Sequence, residues 1–146
     1  MLAERATAMN EPSFQSAIYR TRFEIIQQVV ADYFGCTVAN TQRKDKPQCV
    51  VDPRRYIQYF AWKKLKGCTL ATIGAMSGNG KPFNHATVRH NRLKVIQDMN
   101  LRDSRGRNVN PEVIEIVDEL DRKIEMAFAE HRQSSKYEFA VSIAQL

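Results

Sequence analysis

Residues 69–95 read TLATIGAMSGNGKPFNHATVRHNRLKV, and this stretch decides the fold. Thr69 can cap a short helix over residues 70–76, in which apolar side chains recur every third residue. Two glycines and a proline then force a turn, and a longer helix spans about residues 84–100. Short helix, turn and basic helix is the order of a helix-turn-helix.

The longer helix carries two different faces. The apolar residues that we expect to point inward are Val88, Val95 and Met99. The basic residues of another face are His85, Arg89 and Arg92. In a helix-turn-helix, the second helix presents such a polar face to the major groove of DNA.

Further helices are predicted on both sides of this segment. One begins at an Asn-Glu-Pro cap and spans residues 10–34, and another begins at an Asp-Pro cap and spans residues 52–65. A last amphipathic helix spans about residues 111–132, and its apolar stripe must be covered by protein. The cover is either its own domain or a second copy, in which case the chain is a homodimer. The tail over residues 134–146 alternates apolar and smaller or polar residues like a strand, and its state stays open.

Charge is distributed unevenly along the chain. The 22 Lys and Arg residues exceed the 16 Asp and Glu residues, which gives a net charge of +6. Bases recur from residue 43 to 107, where acids are sparse, whereas acids predominate from residue 112 to 130. The middle of the chain therefore favours a polyanionic partner, and the last helix is expected to stay away from it.

Other classes of protein are disfavoured by the sequence. Three cysteines at unrelated spacings support neither a disulfide framework nor a metal site, and we find no catalytic constellation, so we expect no enzyme. Residues 78–82 (GNGKP) resemble part of a phosphate loop at the wrong glycine spacing, so no nucleotide or other cofactor is expected. Without a membrane-spanning run or a secretory signal, the protein is expected to be soluble and cytoplasmic.

Short motifs follow one another in a recognisable order over residues 25–99. They are a Val-Val-Ala-Asp-Tyr-Phe-Gly helix end at residues 29–35, Ile73-Gly74, a glycine turn, Asn-His-Ala-Thr-Val at residues 84–88, and Lys94-Val95. In these motifs the segment resembles the C-terminal DNA-binding domain of DnaA, the bacterial replication initiator. The family pattern has an acidic residue where Asn84 stands and Ser or Thr where Ala86 stands.

The resemblance implies roles for individual residues. His85 and Thr87 read base edges in the major groove, Arg43 or Lys44 of the basic loop (residues 43–47) reaches the minor groove, and cations contact the DNA backbone at matched places: Arg55, Lys63 and Lys94. The candidate DNA-binding residues are Arg43, Lys44, Lys46, Arg55, Lys63, Lys81, Asn84, His85, Ala86, Thr87, Arg89 and Lys94.

We therefore predict an all-α fold, a helical cluster with a central helix-turn-helix and a C-terminal amphipathic helix. Residues 1–105 form the DnaA-like domain, and residues 106–146 form a C-terminal helical extension. The expected function is sequence-specific binding of double-stranded DNA in replication initiation or its control. The alternative is a helical protein-interaction or transcription-regulator module without an initiator function.

Overall fold

The computed structural model describes residues 14–43, 48–78 and 80–145. The six helices in these ranges are α1 (Phe14–Phe34), α2 (Val38–Thr41), α3 (Gln48–Lys64), α4 (Leu70–Ser77), α5 (His85–Asn100) and α6 (Pro111–Ala144). The β pairing in this part of the chain is one isolated bridge, between Arg102 and Asn108. The predicted all-α fold class is thus confirmed, and the helix start predicted at residue 10 lies outside the described residues.

Side chains cap both helices at the central turn, at Thr69 as predicted and at Asn84, which the sequence pattern predicts to lie inside the longer helix. The Thr69 hydroxyl accepts a hydrogen bond from the Thr72 backbone N–H at 3.1 Å, and α4 begins at the next residue. The Asn84 side-chain oxygen accepts from the Ala86 N–H at 2.9 Å, and α5 begins at His85. Each cap satisfies an N–H group that the helix itself leaves without a partner.

Two predicted boundaries are wrong. Helix α3 begins at Gln48, so Pro53 lies inside it and not in its first turn. A proline near a helix start removes one backbone hydrogen bond, and α3 continues through Pro53 despite that loss. The last helix does not end near residue 132 but runs to Ala144. Residues 133–144 contain neither glycine nor proline, so no residue in the tail interrupts the helix.

One hydrophobic core joins five of the helices, including α4 through the fully buried Ile73. Its fully buried members include Phe23 and Ile26 of α1, Phe60 of α3, Val88 of α5, and Leu120 and Ile124 of α6. Helix α3 contributes most to this core and contacts both α1 and α5 extensively. The apolar stripe of α6 is therefore covered by its own chain, which is one of the two alternatives that the sequence left open.

Ion pairs fix the position of α6 against α3. The Lys64 ammonium lies 2.7 Å from the Asp121 carboxylate and 2.7 Å from that of Glu125, and the Lys64 side chain is only 8% exposed. Desolvation opposes ionisation of Asp121, but the hydrogen bond and charge of Lys64 outweigh it and lower the pKa of this carboxyl. The acidic helix is thus attached at the end of α3.

The turn between α4 and α5 is held by an unusually close backbone approach. The Phe83 N–H donates to the Gly74 carbonyl at 2.9 Å, and Phe83 is itself buried. A Cβ atom on Gly74 would lie 2.1 Å from the Phe83 carbonyl oxygen, a distance that no side chain can occupy. Only glycine at position 74 lets the turn lie against α4.

We expect Gly74→Ala to destabilise the fold by about 2 kcal/mol, although alanine is intrinsically the better helix former by about 1 kcal/mol. The reason is that the Phe83 backbone must move. Gly80→Ala is the matched control, because Gly80 has φ +74 and nothing within 4 Å of an added Cβ. The Gly80→Ala substitution should lower the free energy of unfolding by about 1 kcal/mol, from backbone strain alone. Urea unfolding measures both values, and a Gly74→Ala protein as stable as the original would contradict the packing described.

Candidate nucleic-acid interface

The exposed start of α5 brings together six of the predicted site residues. We call this surface the α5 front, and it consists of Lys81, Asn84, His85, Ala86, Thr87 and Arg89, all exposed. The first turn of α5 contains no acidic residue. The free N–H groups and the dipole of a helix favour negative charge at its N-terminus, so the backbone and the side chains of this surface both suit an anion.

The opposite side of α5 is anchored in the core, which fixes the direction of the front. Val88 is fully buried, and Val95 is 3% exposed. Between them, the Asn91 side-chain amide donates to the Gln58 side-chain oxygen at 2.7 Å in a buried hydrogen bond. Because rotating α5 would leave these polar groups without partners, the pair sets which residues face solvent.

A buried arginine connects the basic loop to the start of α5. Arg54 is 7% exposed, and its Nε donates to the Thr41 carbonyl at 3.2 Å. Its terminal nitrogen Nη2 donates to the carbonyl of Arg43, the last described residue before the gap in the basic loop. The same guanidinium lies 5.0 Å from the centre of the ring of Phe83, the residue that precedes Asn84. Arg54 therefore holds the exposed Arg43 backbone close to α5.

Sequence reasoning missed Arg54 and selected its neighbour. Arg55 is half-buried, and its Nη1 lies 3.7 Å from the Asp52 carboxylate. Adjacent residues on a helix point about 100° apart, so one arginine of the pair enters the core and the other does not. The Asp-Pro-Arg-Arg sequence at residues 52–55 does not indicate which of the two arginines points into the core.

The predicted backbone contacts Lys63 and Lys94 each lie beside a carboxylate. Lys94 Nζ is 3.1 Å from Asp98 on its own helix, and Lys63 Nζ is 3.5 Å from Asp121 on α6. The structure thus places Lys63 on the side of α3 that meets the acidic helix, away from the group formed by the α5 front. Partly exposed pairs contribute about 0–1 kcal/mol, so a phosphate can replace either carboxylate. Lys44 and Lys46 lie outside the described residues.

Other kinds of site are not apparent in the described ranges. No group of three or more His, Cys, Asp and Glu side chains is placed to hold a metal ion in the part of the chain that the structure describes. Cys68 is a free thiol, and burial raises its pKa. Among the described helices, none combines the length and apolar character needed to cross a membrane.

Comparisons with known proteins find three similar chains, each called chromosomal replication initiator protein DnaA. The protein of Herminiimonas arsenicoxydans is 36% identical over 75 residues, that of Latilactobacillus sakei 35% over 83, and that of Flavobacterium psychrophilum 29% over 103. The matches cover 51%, 54% and 70% of this chain but only 15%, 18% and 19% of the relatives, in the same order. They support a DnaA-like relationship for part of the chain. No protein-family model and no solved structure matches it.

We expect Arg54→Met to lower the free energy of unfolding by about 2 kcal/mol, because two backbone carbonyls then lose a charged donor. Arg55→Met is the matched control, one residue away and half-buried, and should change the stability by less than about 0.5 kcal/mol. Thermal or urea unfolding compares the two variants. Equal losses, or a larger loss for Arg55→Met, would show that Arg54 does not hold the loop.

Proposed function

We propose that the chain binds double-stranded DNA, with the α5 front in the major groove and the basic loop in the adjacent minor groove. The observation that carries this proposal is the front itself, an exposed, acid-free helix start whose direction is fixed by Val88 and by the Asn91–Gln58 hydrogen bond. A helix with its side chains is about 10–12 Å across, and the major groove is about 12 Å wide. The order of short helix, turn and longer helix in α4 and α5 supports this docking mode, because it is the order of a helix-turn-helix.

Two kinds of base contact suit the residues at the front. The methyl groups of Ala86 and Thr87 can pack against thymine methyl groups, and the His85 ring can hydrogen-bond a base edge. The side-chain oxygen of Asn84 accepts the capping hydrogen bond of α5 and is therefore not available to a base. Where the family pattern has an acidic residue, asparagine can cap equally well without placing a negative charge near phosphate.

Arg43, the described start of the basic loop, supports a contact of this loop with the same duplex. Arg54 contacts both the Arg43 carbonyl and the Phe83 ring, so the Arg43 backbone lies beside the start of α5. A cation inserted into the minor groove gains from the strong negative potential there, particularly where the groove is narrow. Lys81 and Arg89 supply phosphate contacts around the front.

The relatives extend the proposal to a biological setting. All three carry the name chromosomal replication initiator, and the chain is similar to less than a fifth of each. We infer that the chain supplies sequence-specific DNA binding in replication initiation or its control, without enzymatic activity of its own. Any role for a second copy through α6 would come in addition to this, since the stripe of α6 is already buried in one chain.

Binding of a random-sequence duplex at increasing salt tests the proposal. Each phosphate neutralised by a cation contributes about −0.9 to the slope of log affinity against log salt, so the front and the loop together predict a slope of roughly −3 to −5. Fluorescence anisotropy of a labelled 25-base-pair duplex gives this slope. Absence of any salt-dependent binding would contradict DNA binding and favour the protein-interaction alternative.

We expect His85→Ala and Thr87→Ala to weaken binding to a selected site by about 1–3 kcal/mol each, with little effect on random duplex. The reason is that base contacts carry discrimination, whereas phosphate contacts carry affinity for any sequence. His131→Ala, an exposed histidine of α6, is the matched control and should change neither affinity. Equal losses on both duplexes would mean that these two residues are not base readers.

A further inference from the structure

The connection between α5 and α6 forms a small arginine hairpin, residues 101–109. The Val109 N–H donates to the Leu101 carbonyl at 3.0 Å, and the Asp103 N–H donates to the Arg107 carbonyl at 2.9 Å. Between these bonds, Arg102 and Asn108 form the isolated bridge. The family-like motifs end at residue 99, so the hairpin lies beyond the residues to which the resemblance gives a role in DNA binding.

The hairpin is held rigidly by its own polar groups. The Asp103 carboxylate accepts from the backbone N–H groups of Arg105 and Arg107, each at 2.9 Å, and from the Arg107 guanidinium at 3.2 Å. The Arg107 N–H is the largest of several contributions that lower the pKa of Asp103. At its base, the Asn108 side chain donates to the Met99 carbonyl at 2.9 Å, and that of Asn110 donates to the Asp98 carbonyl at 3.2 Å. The hairpin is thus attached firmly to the end of α5.

This rigid segment is not needed to cover the core. Residues 101–107 are all exposed, and none of them belongs to the hydrophobic cluster. The hairpin contains three arginines and one acid. Of these three arginines, only Arg107 forms an ion pair with a described residue. Arg102 and Arg105 therefore project into solvent from an ordered backbone, which lowers the entropy lost when they bind a ligand.

We propose that the arginine hairpin is a second contact to the phosphates of the same duplex, separate from the α5 front. Guanidinium groups suit phosphate because they offer paired N–H donors and keep their charge. Helix α5 has 16 residues, so the hairpin lies about 24 Å from the front at 1.5 Å per residue. If this separation of about 24 Å runs along the duplex, then at about 3.4 Å per base pair the hairpin contacts phosphates about seven base pairs from the bases at His85. The inference rests on the proposed DNA binding.

The test compares two doubly substituted proteins of equal net charge. Arg102→Ala with Arg105→Ala removes the free cations of the hairpin and keeps the Arg107–Asp103 pair that orders it. Arg122→Ala with Lys123→Ala is the control, because these exposed residues lie on α6 and pair with Glu119. Circular dichroism establishes that both variants keep the fold. Affinity for random duplex is then measured over a range of salt concentrations, on a duplex of 12 base pairs and on one of 30.

On the long duplex, the hairpin variant should lose about 1.8 units of salt slope, or 0.9 for each phosphate contact, whereas the control variant keeps the original slope. On the short duplex, which leaves little flanking DNA, the difference between the hairpin variant and the original protein should shrink. An unchanged slope for the hairpin variant, or an equal decrease for the control, would overturn the inference and leave the proposed function intact. If the original protein binds neither duplex, it is the proposed function that fails.

Discussion

The contact between Gly74 and the backbone of Phe83 is the constraint on which the rest of the interface depends. Because position 74 carries no side chain, the turn folds onto α4, and the Phe83 ring becomes buried. Arg54 lies over that ring and holds the last described residue before the gap in the basic loop. One close approach therefore helps to set both where α5 begins and where Arg43, the described start of the basic loop, lies. In the proposed complex these are the two elements that meet the major and the minor groove.

The fold separates charges that the sequence already keeps apart. The basic middle of the chain builds α3 to α5 and the arginine hairpin, whereas the acidic stretch builds the outer surface of α6. Lys64 draws α6 against the end of α3 through Asp121 and Glu125, and the core covers the apolar stripe. An acidic surface near DNA would repel phosphate, so this separation favours one orientation of the domain on a duplex. The same logic makes Lys63, which lies beside Asp121, a weaker candidate for a phosphate contact than Lys81 or Arg89.

Local signals in the sequence predict the elements well where a residue type has one structural role. The predicted cap at Thr69 gives the start of α4 because its side chain satisfies a nearby N–H group. The same reasoning fails at Pro53, which lies inside α3 although its ring removes one backbone hydrogen bond. It also fails at Arg54, whose burial depends on carbonyls at Thr41 and Arg43 that are distant in sequence. The tail is helical because residues 133–144 contain no helix breaker, although its apolar residues alternate as they do in a strand.

Nuclear magnetic resonance titration of the isotope-labelled chain with a duplex tests the central claim most directly, because it locates bound DNA residue by residue. At a mass of 16.8 kDa, backbone amide signals can be followed through the titration. The account predicts the largest amide shift changes at residues 81–89 and at Arg43, with small changes along residues 112–125 on α6. Changes concentrated on α6, with residues 81–89 unaffected, would contradict the proposal that the start of α5 is the DNA-binding surface.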